Sequence, residues 1–517
     1  MVGLEDVGDD VMDSRQIEVF LDHIRKKGVR VWSENSRLRY RAPRNALSED
    51  DIRILRQIGE QARAEGAADI AEIYSLPSRA PLSFSQIQHW NLYRLRERPA
   101  IRHLASVTKL HGSLNLTALH RAVAELVWRH DALRTRIVLC NGFPIQEVTD
   151  SGDWELVVKD LRAVPLSKRS EAISEQIEEV VLEPVNISIG PLFAVRLLHV
   201  GENEHVLIIA MEHIISDEWS LGIYLRDLLM AYSQIVQGRR VSLPKVPMQF
   251  SDYATWQSNS HSLWLGNHGA YWKQLAGECG RVRFPEDEFV GSCAGMGWAV
   301  ASIRIEREIG EELVEWSRRN RTTAVMSIFV AYVALVLRWC KVSEAVFRYE
   351  TNGRVDQSIE NTIGYFTSPL FVRMRLSERD SFIDLLGRAM KEYCISHEHA
   401  DSSYMEAQLP RPEFTRNTAF NWVPQRPTGG PLVEGGAAAG ITCTTMPFLN
   451  PRLRNLERDV EPFLLFFDTQ DGIHGGMCFP ASRFTERTMS RFGRNLKEHV
   501  HALLRRPDAR VMDTEIS

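Results

Sequence analysis

Cysteine is scarce and scattered in this chain of 517 residues. Its seven cysteines (Cys140, Cys279, Cys293, Cys340, Cys394, Cys443 and Cys478) form no C-x-x-C pair. A zinc framework or disulfide scaffold is therefore not expected, and reduced thiols in a cytoplasmic, metal-free protein are the simplest reading. No apolar run approaches the roughly 20 residues of a membrane-spanning helix. The start, Met1 to Asp10, is acidic and lacks the basic opening of a secretory signal. An excess of charge is missing too: a net −5 gives no global reason to expect nucleic acid or an anionic membrane as partner. No G-x-S-x-G elbow marks a hydrolase and no P-loop marks an ATP site. What is present, 44% apolar and 25% charged residues, is the composition of a globular protein, long enough for two or three domains.

The first seventy residues read as a separate small unit. Ile17, Phe20, Leu21 and Ile24 mark one face of a short helix that Gly28 can end. Val29–Ser33 and Arg37–Ala42 alternate with period two around a turn at Glu34-Asn35-Ser36, which predicts a β-hairpin. Arg37, Arg39 and Arg41 fall on one face; Leu38, Tyr40 and Ala42 fall on the other. Ser48 before Glu49, Asp50 and Asp51 predicts a helix start, with Ile52, Leu55 and Ile58 turned back to the hairpin. Eight basic residues (Arg25, Lys26, Lys27, Arg30, Arg37, Arg39, Arg41 and Arg44) stand against the single acid Glu34. Such a hairpin can accept an acidic peptide as an added strand, or its charges can simply guard the strand edge.

The rest of the chain alternates helical and strand patterns. Leu116–Val127 and Thr323–Arg338 are predicted as helices, with a closing helix at Glu486–Leu504. Arg134–Leu139, Leu192–Val200, Glu204–Met211, Ala345–Glu350 and Phe463–Asp468 are predicted as strands. Pro424–Gly440, rich in glycine and alanine, is expected to be a long loop, either a lid or latch or a tolerated insertion. Between the apolar strand His205–Ala210 and a helix beginning near Leu221 lies Glu212-His213-Ile214-Ile215-Ser216-Asp217-Glu218-Trp219-Ser220. A His and an Asp four apart, on a loop held by two core elements, make a candidate catalytic site.

Several segments resemble one family in order. Gly28, Val29, Trp32, Leu38, Arg39, Tyr40, Ala42 and Pro43 resemble the N-terminal β-hairpin docking domains of nonribosomal peptide synthetases. Leu82–Gln86 with Trp90 and Leu92 resembles the opening motif of synthetase condensation domains. Arg129–Thr135 resembles their R-H-x-x-L-R-T motif, and Glu212–Ser220 resembles H-H-x-x-x-D-G-W-S. Ser251–Gln257 is similar to D-Y-A-x-W-Q, and Ile363-Gly364-Tyr365-Phe366, followed by Arg373, to I-G-x-F-V-N-T. Weaker blocks fall at His399-Ala400-Asp401 and at Arg416 through Gln425.

The resemblance implies an α/β fold of two chloramphenicol-acetyltransferase-like lobes in a V, preceded by a small α-β-hairpin-α docking domain. The expected divisions are a docking domain at 1–70, a linker at 71–81, an N-lobe at 82–260 and a C-lobe at 261–517. It further implies no bound cofactor, the acyl donor being a thioester on the phosphopantetheine arm of a carrier protein. His213 aligns with the second His of the motif, the group assigned as base or positioner of the nucleophile. Asp217 is implied to hold the loop through a buried pair with an arginine, Arg129 first and Arg134 second. Arg129 could instead serve as a helix-end charge. Trp219 and Ser220 are expected to pack the loop and cap the helix. His89, His130, His397 and His399 form no metal or nucleophile pattern and are expected in packing or surface roles.

Three departures stand out. Glu212 replaces the first His of the motif, Glu218 replaces its Gly, and Ser368 replaces the Asn of I-G-x-F-V-N-T. Glu218, Gly364 and Ser368 are thus candidate acceptor-side tunnel positions. Arg30, Trp32, Arg37, Arg39, Tyr40 and Arg41 are candidate contacts for the acidic C-terminal tail of an upstream carrier protein.

The expected activity is acyl transfer from that carrier to a free or carrier-bound amine or hydroxyl. No carrier motif, adenylation region or thioesterase elbow follows, a layout similar to chain-releasing condensation enzymes of the enacyloxin type. The alternative is a non-catalytic carrier-recruitment module of the same fold. An epimerising relative fits less well, since such domains normally sit beside a carrier in one chain.

Overall fold

The structure, a computed structural model, describes residues 20, 24, 29–34, 37–41, 47–64, 78–95, 100–101, 104–150, 154–278, 282–288, 290, 297–354, 356–399, 417–423, 440–445, 460–469 and 472–516. In the N-terminal unit, strands Arg30–Glu34 and Arg37–Arg41 pair antiparallel, with Arg30 opposite Arg41 and Trp32 opposite Arg39. Helix Glu49–Ala64 follows. Ser48 Oγ accepts from the Asp51 N–H at 3.1 Å, and the Asp51 carboxylate accepts from the Ser48 N–H at 2.8 Å. That reciprocal arrangement satisfies donors the first helical turn would leave open. Phe20, Ile24, Leu55 and Ile58, on the faces that helical spacing marks, are buried, and so is Val29 at the start of the hairpin.

The first lobe is built on a five-stranded sheet in the order Thr442–Thr445, Leu104–His111, Glu204–Met211, Phe193–His199 and Leu156–Asp160. Only the last pair is parallel. Alternation along Glu204–Met211 explains its unbroken apolar run. Leu207, Ile209 and Met211 pack with the helices Leu116–Arg129 and Glu218–Val236, whereas Val206, Ile208 and Ala210 meet Ile177, Val180 and Val181 of helix Leu166–Leu182. A strand covered on both faces has no polar side. The final four residues of the expected linker, Ser78–Pro81, form a strand beside Phe143–Val148.

The second lobe carries a six-stranded mixed sheet in the order Trp298–Glu306, Gly472–Pro480, Phe463–Thr469, Ala419–Val423, Glu344–Thr351 and Ser368–Arg375. Helix Ala324–Trp339 is apolar all round and buried from Met326 to Leu337, so it serves as the lobe's central post. No single helix among the described residues is long and apolar enough to cross a membrane. Helix Phe250–Glu278 links the lobes and runs unbroken through residue 260, where one lobe is expected to give way to the other. The weaker blocks at Ala400-Asp401 and Arg416, and the loop 424–439, lie outside the described residues.

The two halves also exchange chain. Strand Thr442–Thr445, late in the sequence, forms the edge of the first lobe's sheet, and Ile441 and Cys443 are buried in that lobe's core. Gly112 makes this approach possible. Its φ is +130°, and a Cβ there would lie 2.3 Å from the Gly440 carbonyl oxygen. Gly112→Ala should therefore lower stability by about 3 kcal/mol. Gly238→Ala, at φ +68° with open space around it, should lose only about 1 kcal/mol, both read by urea unfolding.

Candidate active site

His213 sits on a single 3-10 turn, His213–Ile215, directly after strand Glu204–Met211. Its Nδ1–H donates to the Ser216 carbonyl at 2.7 Å. A carbonyl can only accept, so Nδ1 carries the hydrogen and Nε2 holds the lone pair of the neutral ring. The Tyr365 ring lies 4.3 Å from the imidazole, centroid to centroid, tilted by 41°. The turn itself is tied down: Ser216 Oγ donates to the Glu212 carbonyl at 2.9 Å, and the Glu212 carboxylate caps the Ile214 N–H. Backbone rigidity on this scale is what a proton-transferring side chain requires.

Asp217 is buried and saturated. Oδ1 accepts from the Ser220 N–H (2.9 Å), the Ser220 hydroxyl (2.7 Å) and Arg354 (3.1 Å); Oδ2 accepts from Arg354 (2.7 Å) and the Phe366 N–H (3.1 Å). The side chains of Asp217 and Arg354 are 1% and 2% exposed. Asp217 thus holds the loop, as expected, but its arginine is Arg354, neither Arg129 nor Arg134. Arg129 instead meets Asp227 at 3.3 Å, where Arg226 and His130 also converge. Burial alone would raise the proton affinity of Asp227. The His130 hydrogen bond and the Arg226 charge outweigh it and hold the carboxyl below its usual range. Arg134 binds Asp131 at 2.8 Å. Both arginines of the expected motif therefore brace the helix and turn beneath the site rather than the His loop.

Asp217, not Ser220, is the cap of helix Glu218–Val236. Ser220 works across the lobe boundary. Its hydroxyl donates its one hydrogen to Asp217 at 2.7 Å, lies 3.0 Å from the Gly364 carbonyl, and accepts from the Gly364 N–H at 3.1 Å. Trp219 Nε1 donates to the Glu360 carbonyl at 3.2 Å, so it too bridges the lobes. Arg354 lies 4.4 Å over the Phe366 ring, adding a cation–π contact to the seam.

The three acceptor-side candidates differ in setting. Gly364 is wedged rather than open, since a Cβ there would lie 2.1 Å from Phe250. Ser368 is buried at the start of strand Ser368–Arg375, and its carbonyl accepts from Thr351 Oγ1 at 2.9 Å. Glu218 is half-buried at the first position of its helix, where an acid is favoured by the helix dipole. His89 is buried, in keeping with a packing role, and stands 5.5 Å from the His213 ring. His130 is a buried core residue, and burial pushes its proton affinity down despite the Asp227 bond. His399 pairs with His268, Nδ1 to Nδ1, at 2.8 Å. Among the described residues no group of three or more His, Cys, Asp or Glu is placed to hold a metal.

Removing one partner of a buried ion pair strands the other, at a loss of about 3–5 kcal/mol. Asp217→Asn and Arg354→Gln should each lower the unfolding free energy by that amount in urea titrations. Arg129→Gln should lose less, because Arg226 and His130 continue to bind Asp227 and the Arg129 side chain is already 20% exposed.

Known proteins share this architecture. The condensation-domain family matches residues 78–424, and the TubC N-terminal docking domain matches residues 17–58. A linear gramicidin synthase protein of Brevibacillus parabrevis is 28% identical over 347 residues, 66% of this chain and 7% of that protein. Chondramide synthase of Chondromyces crocatus is 25% identical over 440 residues, 84% of this chain and 11% of that protein. The chain therefore corresponds to a small part of each of these relatives. Among solved structures, the X-domain from teicoplanin biosynthesis superposes with a TM-score of 0.69 at 20% identity, covering 86% of this chain and 98% of that one. The starter condensation domain of rhizomide synthetase gives 0.67 at 16% identity, covering 85% and 99%. At such identities the likeness is one of fold. The chain belongs to the condensation-domain family of nonribosomal peptide synthetases, shares its chloramphenicol-acetyltransferase-like architecture, and carries a TubC-type docking domain ahead of it.

Proposed function

We propose that this chain transfers an acyl or peptidyl group from a carrier protein to an amine or hydroxyl, with His213 as the proton acceptor. Condensation domains use no bound cofactor, and their substrates arrive on phosphopantetheine arms. The observation that carries the reading is the His213 Nδ1–H bond to Ser216, which directs the lone pair to Nε2. The nucleophile attacks the thioester carbonyl carbon as its proton passes to Nε2, and a tetrahedral oxyanion forms. Collapse breaks the carbon–sulfur bond, the thiolate takes the proton from the imidazolium, and an amide or ester with a free phosphopantetheine thiol results. Asp217 has no part in this proton path, because its lone pairs are engaged by Arg354, Ser220 and Phe366. Glu218, next to the loop, is assigned to the acceptor side, with Gly364 and Ser368 supporting the seam behind it.

Incubation with an acyl-loaded upstream carrier and a range of amines and alcohols, followed by mass spectrometry, tests this directly. His213→Ala should lower the rate at least about a hundredfold; wild-type turnover in that variant would sink the assignment. Product found in solution with a free acceptor identifies chain release, whereas product found only on a second carrier excludes it.

A second reading is a recruitment module that binds carriers without chemistry. The X-domain neighbour is known in complex with another protein, OxyB, and the acids Glu212 and Glu218 at the motif favour it. Carrier binding without turnover across all nucleophiles would establish that reading in place of the first.

The hairpin is assigned to an upstream partner. Its register sets Arg30 opposite Arg41, Trp32 opposite Arg39 and Glu34 opposite Arg37, and the run of arginines at 37, 39 and 41 is a sequence pattern suited to an acidic carrier tail. Charge reversal of Arg37, Arg39 and Arg41 to Glu should weaken binding of an acidic tail peptide at least about tenfold, and wild-type affinity should fall with salt. Salt-independent binding that survives the reversal would overturn the electrostatic account.

A further inference from the structure

The motif that Ile363–Phe366 resembles leaves one position open, and Tyr365 fills it. From His205 to Asp217 every residue is buried except His213, and from Thr362 to Phe366 every residue is buried except Tyr365. These two partly exposed side chains meet across the lobe boundary, ring to ring, at 4.3 Å. The His89 ring stands edge-on to Tyr365 at 5.8 Å, an arrangement that aromatic rings favour. The backbone on both sides of Tyr365 is tied to the first lobe. The Gly364 N–H donates to the Ser220 hydroxyl at 3.1 Å, and the Phe366 N–H donates to the Asp217 carboxylate at 3.1 Å. Gly364 is also wedged against Phe250. With both neighbours pinned, Tyr365 belongs to the second lobe but is held against the first.

His213 has a use for such a neighbour. Its Nδ1–H bond to the Ser216 carbonyl anchors one edge of the imidazole. The χ2 torsion of a histidine is broad and roughly twofold, so a ring anchored at one edge can still rock or turn over. Turning over exchanges Nε2 with a ring carbon and removes the lone pair from its place. A second ring in contact occupies the space through which the imidazole would swing. The stake is large, because a displacement of about 1 Å at a reacting group can cost roughly a hundredfold in rate.

We propose that Tyr365 is a positioning residue, whose ring, supplied by the second lobe, holds the His213 imidazole in the orientation that presents Nε2 to the nucleophile. The inference rests on the reading of His213 as proton acceptor. The ring does this work and the hydroxyl does not, so Tyr365→Phe retains the function and Tyr365→Leu loses it. Histidine-selective carbon-13 labelling of the full chain, with His213 assigned by loss of its signal in His213→Ala, gives the order parameter of the His213 ring by NMR relaxation. The transfer assay with an acyl-loaded carrier gives kcat and KM for the same variants.

The order parameter should lie above about 0.8 in the wild type and in Tyr365→Phe, and below about 0.6 in Tyr365→Leu. Tyr365→Leu should lower kcat about tenfold while KM for the loaded carrier stays within about twofold, and Tyr365→Phe should keep the wild-type kcat. If Tyr365→Leu fails to fold, Tyr365→Met, bulkier and equally without a ring, carries the same test. A ringless variant that loses stability but keeps a rigid His213 and the wild-type kcat overturns the proposal. So does a Tyr365→Phe variant as mobile and slow as Tyr365→Leu, because the hydroxyl would then be responsible. A His213 that loosens in Tyr365→Leu and not in Tyr365→Phe, alongside a fully active His213→Ala, would instead refute the catalytic reading and leave the ring's hold on His213 standing.

Discussion

The Asp217–Arg354 pair is the interaction on which the site depends. It joins a loop of the first lobe to a turn of the second, and both charges are withdrawn from water. In that setting a carboxylate is tolerable only with its lone pairs occupied, and five donors from Arg354, Ser220 and Phe366 occupy them. The geometry is bidentate, so it fixes direction as well as distance. His213 inherits that precision, because its turn ends where Asp217 begins the next helix. The same seam is reinforced by Ser220 on Gly364, Trp219 on Glu360 and Arg226 on Asn361. The His213 turn is thereby kept at one position relative to both lobes.

Much of this is legible in the sequence. Strand Glu204–Met211 and helix Glu486–Arg505 appear where the patterns put them, the latter to within a residue, because covered faces leave period-two and period-3.6 signatures. The hairpin follows from alternation, and the helix start at Ser48 from its acidic first turn. The charge partners do not follow. Arg129 lies in a recognisable motif, yet Asp217 is held from 137 residues further along the chain. Local spacing carries no information about a contact made across a lobe boundary. A usable hint is the Asn352-Gly353-Arg354 turn: Gly353 has φ +62°, and a Cβ there would lie 1.8 Å from the Phe366 carbonyl. The place of His89 beside Glu212 is hidden for the same reason, since nothing on its own helix signals that contact.

Glycine misleads in an instructive direction. In sequence Gly364 is a candidate acceptor-side tunnel position, but the missing side chain accommodates Phe250 and brings the backbone within reach of Ser220. A small residue beside a reactive centre can serve the wall as readily as the passage. Two departures from the motif have local physical reasons. Glu212 caps the His213 turn and meets His89, while Glu218 sits where the helix dipole favours an acid.

The borrowed strand Thr442–Thr445 has a consequence for how the molecule is made. Thr444 pairs with Lys109 at the edge of the first sheet, so that sheet stays incomplete during synthesis until most of the chain has left the ribosome. Contacts of such long sequence separation form late and slow folding, because a large loop must close before the pairing rewards it. Until then the edge at Leu104–His111 presents unpaired backbone groups to any passing strand. The nascent protein's vulnerable moment is set by that single late strand, and its arrival both closes the edge and ties the second half of the chain to the first.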